Sequence, residues 1–178
     1  MIERFEMIDR KVLRESSILT YCEDTLKAPD GKVVVYDNML HKGAAAVVPV
    51  LEDGRILMVK QFRHSIDRVT LEIPAGKRDD ENEDFALAAA RELEEETGYH
   101  SDNMEHLITI ITAIAYCNEK IEVYLAKDLK RTHQTLDDDE FIDVYAFTTD
   151  ELKEKILKGE IQDSKTIAAI MSYISTLK

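Results

Sequence analysis

The spacing of apolar positions changes several times along this chain, and each change marks an element. Residues 6–40 read as short strands joined by turns; the run KVVVY at 32–36 follows Ala28-Pro29-Asp30-Gly31, where proline and glycine set the turn dihedrals. Residues 43–51, GAAAVVPVL, are continuously apolar. Asp53-Gly54 is a hairpin signal, and a second strand over 55–62 completes an expected β-hairpin. Residues 69–73 predict another strand, stopped by Pro74-Ala75-Gly76. The period then becomes helical: over 84–97, Ala86, Ala89, Ala90, Leu93 and Thr97 share one face, and Gly98 follows as the stop. Strands are expected near 107–115, 120–126 and 141–147. Thr148 with Glu151 is a capping-box signature for a helix to about Lys158, ended by Gly159, and a last helix spans about 164–177.

The helix over 84–97 carries the chemistry. At about 100° per residue, Glu92, Glu95 and Glu96 project together, opposite the Ala and Leu stripe. Like charges three and four residues apart repel by a few tenths of a kcal/mol per pair. Arg91 relieves only part of this, and no lysine occurs between Lys77 and Lys120. Three clustered carboxylates are hard oxygen donors of the type magnesium or manganese prefers. A solvated acidic face is the bland alternative for the run taken alone.

Its context favours the metal. Gly76, Glu83, Arg91-Glu92-Leu93, Glu95-Glu96 and Gly98-Tyr99 together closely resemble the signature of the Nudix hydrolases. One departure is visible: six residues, 77–82, separate Gly76 from Glu83, where the family has five. A slip inside the helix would rotate the carboxylates by about 100°, so the extra residue is expected to bulge the preceding loop, with Asn82 or Glu81 sharing the role of Glu83. Residues 59–63 (VKQFR), Gly159-Glu160-Ile161 and Asp163-Ser164-Lys165-Thr166 resemble the ADP-ribose pyrophosphatase branch, so the resemblance covers roughly 43–178.

The resemblance implies an α+β fold, a Nudix-type α/β/α sandwich with a mixed β-sheet over 43–178, preceded by an N-terminal β appendage, 1–42, that serves dimerisation. It implies two or three Mg2+ or Mn2+ ions held by the Ala75 carbonyl, Glu92 and Glu96, with Glu95 assisting. A late acidic loop supplies a further ligand or the general base. Leu136-Asp137-Asp138-Asp139-Glu140 stands there, with Asp138 and Glu140 as candidates. Arg63 suits a phosphate or ribose contact, Glu72 either contacts substrate or supports the Ala75 turn, and Tyr116 either stacks on substrate or packs at a strand end. The implied reaction is hydrolysis of ADP-ribose to AMP and ribose 5-phosphate in a homodimer whose N-terminal strands complete the partner's site. Ile114 stands near a position where that branch carries proline, which leaves GDP-mannose or another nucleoside diphosphate derivative open as substrate. A ligand-binding domain of Nudix type without turnover is the alternative of a different class.

Composition narrows the partners. The 178 residues carry a net charge of −13, with 44% hydrophobic and 33% charged side chains. Such a field disfavours nucleic acid and anionic membrane surfaces. Cys22 and Cys117 show no metal or redox spacing and read as buried free thiols. The start of the chain lacks a basic segment and apolar run, and no segment approaches a membrane span, so the cytoplasm is the expected location.

Overall fold

A computed structural model of the chain describes residues 3–177; Met1, Ile2 and Lys178, at the ends of the two expected segments, lie outside the described residues. The chain forms two compact units, one running to Gly43 and taking in Ile111–Lys120, the other holding Ala44–Ile110 and the chain from Ile121 onward.

In the first unit, β1 (Glu6–Glu15), β2 (Leu19–Lys27) and β3 (Val33–His41) form an antiparallel sheet in the order β1-β2-β3. These strands of 10, 9 and 9 residues are longer than the short strands the sequence suggests. Gly31 closes the β2–β3 turn at φ 87°, a left-handed conformation suited to glycine. Buried Asp24 accepts two bonds from Arg10 at 2.6 and 2.7 Å and one from Asn38 at 2.9 Å, so the sheet holds no unpaired buried charge at that position. The strand expected over 107–115 ends at Ile111, because the chain turns back on itself where Tyr116 and Cys117 both donate to the Ala113 carbonyl. Cys22 is buried, whereas Cys117 is only half-buried.

The second unit is built around β4 (Ala44–Pro49), whose six residues are all buried. A strand apolar on both faces belongs in the middle of a sheet. β4 runs parallel to β10 (Lys120–Lys127) and antiparallel to β7 (Ala75–Lys77), and β9 (Asn103–Ile111) completes the order β7-β4-β10-β9. The expected hairpin between β4 and β5 (Ile56–Arg63) does not form. The turn at Gly54 is present, but the two flanks share only the bridge Val50–Ile56. Both edges of β4 are already occupied, so β5 pairs instead with β6 (Arg68–Glu72) and β12 (Asp143–Phe147) in a second sheet, β12-β5-β6. β8 (Tyr99–His100) and β11 (Lys130–Arg131) make a short ladder.

Alternation along β4 separates two cores. Ala45 and Val47 pack with Ala88, Ala89 and Leu93 of α1 (Phe85–Thr97). Ala44, Ala46 and Val48 pack with Leu152 of α2 (Thr149–Leu157) and with Ala169, Ile170 and Tyr173 of α3 (Ser164–Thr176). The period-2 side-chain rule thus places helices on both faces of the sheet. Thr148 and Glu151 form the expected capping box of α2. No helix among the described residues is long and apolar enough to cross a membrane.

Candidate active site

Helix α1 starts at the Asp84 cap, whose side chain accepts from the Ala86 and Leu87 amides. It ends at Gly98 with φ 68°. Between these stops, burial of Ala88, Ala89 and Leu93 fixes the helix rotation. Glu92 and Glu96 are thereby turned toward the strand exit at Ala75-Gly76. The sequence places these carboxylates on an exposed face, and the structure corrects that: Glu96 is only 3% exposed, and its Oε2 accepts the Ala75 N–H at 3.0 Å. Packing α1 against the sheet brings this face under the start of β7. The Glu92 carboxyl lies so close over Gly76 that a Cβ there would meet its atoms at 2.1 Å, so Gly76 is needed for the approach.

Burial controls the charge of the pair. Loss of water pushes Glu92 up to about 7; Arg91 opposes the shift, while Glu95 and Glu140 add to it. Glu96 is pushed up to about 8 by burial, against the pull of the Ala75 amide, with further upward pressure from Glu92 and Glu140. Arg91 is inserted among the helix carboxylates. It donates to Glu92 at 2.7 Å, to Glu95 at 3.0 Å, to Glu83 at 3.3 Å and to the Lys77 carbonyl at 3.1 Å.

The extra residue before α1 is absorbed in the loop. Arg78 donates to the Glu81 and Glu83 carbonyls at 2.8 and 3.0 Å, and the Asp79 amide donates to Glu83 at 2.7 Å. Glu83 is half-buried and faces Arg91, whereas Glu81 and Asn82 are exposed.

In the late loop the four acids separate. Glu140 is half-buried and its charge is felt by both Glu92 and Glu96; Asp137, Asp138 and Asp139 are exposed. The loop is tied to the end of α1: Gln134 donates to the Glu96 carbonyl at 2.6 Å and the Thr135 amide to the Glu95 carbonyl at 3.0 Å. Gln134 carries no sequence signal; its role depends on a contact 38 residues away.

Arg63 and Glu72 meet face to face. Two guanidinium N–H groups donate to Glu72 at 2.8 and 2.7 Å, Thr70 donates at 2.6 Å, and Lys165 adds a further short contact. Burial would raise Glu72, but Arg63 and Lys165 outweigh it and hold the carboxyl at about 2. All four donors engage the Glu72 carboxylate, so it supports Arg63 rather than standing open. Tyr116 belongs to the other unit, where it is 59% exposed beside a cavity of about 550 Å³ that Phe5, Tyr36 and Ile114 also line.

The donors present suit a hard divalent cation: carboxylate oxygens of Glu96 and Glu92 against Ala75-Gly76, with Glu95 on the same helix and the Glu140 charge felt by both, and two carboxyls disfavoured as anions until a further positive charge joins them. The cluster is open, since no three or more His, Cys, Asp or Glu side chains among the described residues close on one point.

A NUDIX domain model matches residues 39–170. The chain is 39% identical over 149 residues to the methanol dehydrogenase activator of Bacillus methanolicus, covering 83% of this chain and 80% of that one. It is 38% identical over 152 residues to the ADP-ribose pyrophosphatase of Bacillus subtilis (strain 168), covering 84% and 81%. A crystal structure of an ADP compounds hydrolase superposes with a TM-score of 0.87 at 19% identity over 99% of this chain and 96% of the other, which is a likeness of fold.

Proposed function

From the premise that this chain belongs to the Nudix family, we propose that it is a metal-dependent pyrophosphatase that cleaves the diphosphate linkage of a nucleoside diphosphate sugar, with ADP-ribose giving AMP and ribose 5-phosphate. The observation that carries the reading is the pair of carboxylates, half-buried Glu92 and buried Glu96, seated against Ala75-Gly76 within range of the Glu140 charge. The name of the Bacillus subtilis relative supports ADP-ribose as the first substrate to test.

Glu92, Glu96 and the Ala75 carbonyl hold the cation, Mg2+ or Mn2+, with Glu95 assisting and two or three ions per site. When bound, the cation neutralises phosphate oxygens and makes an attacking water more acidic. Glu140 is the further ligand or the base that takes the proton from that water; Asp138 is the second candidate for the base. Arg63, oriented by Glu72, donates N–H groups to a phosphate or ribose oxygen. Residues 1–42 act as the dimerisation appendage of a 43–178 catalytic domain in a homodimer. The exposed Val33 and Val35, two residues apart on β3 and so on one face of its sheet, support this, being apolar surface for a second copy to cover. The location is the cytoplasm, and neither nucleic acid nor membrane is a partner.

The test is a turnover panel with magnesium or manganese, covering ADP-ribose, GDP-mannose, other nucleoside diphosphate sugars, dinucleotides and nucleoside triphosphates. The expected outcome is the highest kcat/KM for a nucleoside diphosphate sugar. A higher value for triphosphates overturns the substrate class, and binding of ADP-ribose without turnover of any compound overturns catalysis.

A further inference from the structure

The segment Asp163-Ser164-Lys165-Thr166 starts helix α3, and its side chains do more than cap that helix. Asp163 is the N-cap residue, and its Oδ2 accepts the Thr166 N–H at 3.0 Å. The same oxygen accepts the Thr166 hydroxyl at 2.5 Å and the Lys165 ammonium at 2.8 Å. Having donated its proton to Asp163, the Thr166 hydroxyl accepts the Ile73 N–H at 3.0 Å. Lys165 reaches Glu72, the residue before Ile73. Thr166 is fully buried and Glu72 nearly so. Two consecutive residues, 93 positions earlier in the chain, are therefore gripped by one helix start through two separate side chains. Ile73 leads through Pro74 into Ala75 and Gly76, where Glu96 and Glu92 are seated. Glu72 in turn orients Arg63, whose charge is felt by Glu96.

We infer that Asp163, Lys165 and Thr166 form a positioning clamp with two arms: Thr166 holds the Ile73-Pro74 connection and through it sets the start of β7, Ala75-Gly76, against the metal-binding carboxylates, and Lys165 sets Glu72 and through it the substrate-facing Arg63. This rests on the proposed reading of the site. The chemistry explains the residue types. A buried backbone N–H beside a proline-containing connection needs a local acceptor, and a hydroxyl whose own O–H is donated in a hydrogen bond to a carboxylate presents one. Glu72 and Asp163 are two carboxylates, and Lys165, which contacts both, joins Arg63 to bring the group to zero net charge.

The two arms have different expected signatures. Thr166→Val removes the acceptor at nearly constant volume. Mn2+ binding, read by electron paramagnetic resonance titration without substrate, is expected to weaken at least tenfold, and Thr166→Ser is expected to restore it to within about twofold. Lys165→Met is expected to leave Mn2+ affinity within about threefold while raising the KM for ADP-ribose at saturating metal at least fivefold. A side chain that merely stabilises the fold would lower the Tm without this split. If both variants bind Mn2+ and substrate as the wild type does, or if both change every constant alike, the clamp is wrong. Lys165→Met carries the test by itself if Thr166→Val does not fold. Wild-type protein that binds no Mn2+ would instead overturn the metal site and not the clamp.

Discussion

Gly76→Ala moves one candidate ligand without removing any charge. Gly76 does not sit at positive φ, so alanine meets no backbone penalty there. The added Cβ would lie 2.1 Å from Cδ and Oε1 of Glu92 and 2.3 Å from Oε2. Ordinary contact begins near 3.5 Å, so the carboxyl has to retreat by about 1 Å or more. A displacement of this size in a reacting constellation costs about 100-fold in rate, or roughly 2.7 kcal/mol of barrier. The atoms met are the far end of a long side chain that is only half-buried, so the fold accommodates the retreat and the Tm moves by only a few degrees. Steady-state kinetics on ADP-ribose at saturating magnesium, with a thermal melt of the same sample, checks both halves. A kcat within about threefold of wild type would show that the position of the Glu92 carboxyl does not matter, and the site assignment would fall with it.

Three further predictions follow from the same cluster. In metal-free protein, Glu92 at about 7 and Glu96 at about 8 retain protons in the native state that the unfolded chain has released above its ordinary value of 4.5. This contribution is fully present below about pH 4.5 and is lost as the pH rises through 7 to 8, so the Tm should fall across that window. Glu96→Gln should flatten the fall, and millimolar Mg2+ or Mn2+ should reverse it by binding the native state alone; a metal-free Tm that is flat from pH 5 to 9 would contradict the burial argument. Glu92→Gln and Glu96→Gln should each lower kcat by about 100-fold or more. Glu94→Gln should stay near wild type, because Glu94 only pairs with His100 on the surface at 3.3 Å. Glu140→Gln should lose about 100-fold in kcat or raise the metal requirement, and Asp138→Asn should do much less; the reverse ranking in kcat against pH would transfer the role of base to Asp138.

What the sequence by itself determined is local. The end of α1 follows from Gly98, its rotation from the spacing of Ala89 and Leu93, and the α2 start from Thr148 and Glu151; each is an interaction spanning a few residues, which periodicity and cap chemistry record, whereas the Asp84 cap that starts α1 at Phe85 is seen in the structure. The same spacing puts Glu92, Glu95 and Glu96 together before any tertiary contact exists. It could not say that Glu96 would be buried, because desolvation belongs to the packing of α1 against the start of β7, 21 residues earlier. Nor could it part β4 from β5: a turn signal describes the chain between two strands, not which edges are already occupied. Four consecutive acids look alike in sequence, and only the path of the loop brings Glu140 within range of the cluster while leaving Asp138 in solvent. The grip of Lys165 and Thr166 on Glu72 and Ile73 crosses 93 residues and leaves no periodic trace, since hydrogen bonds between distant elements are fixed by where the sheet and helix come to rest.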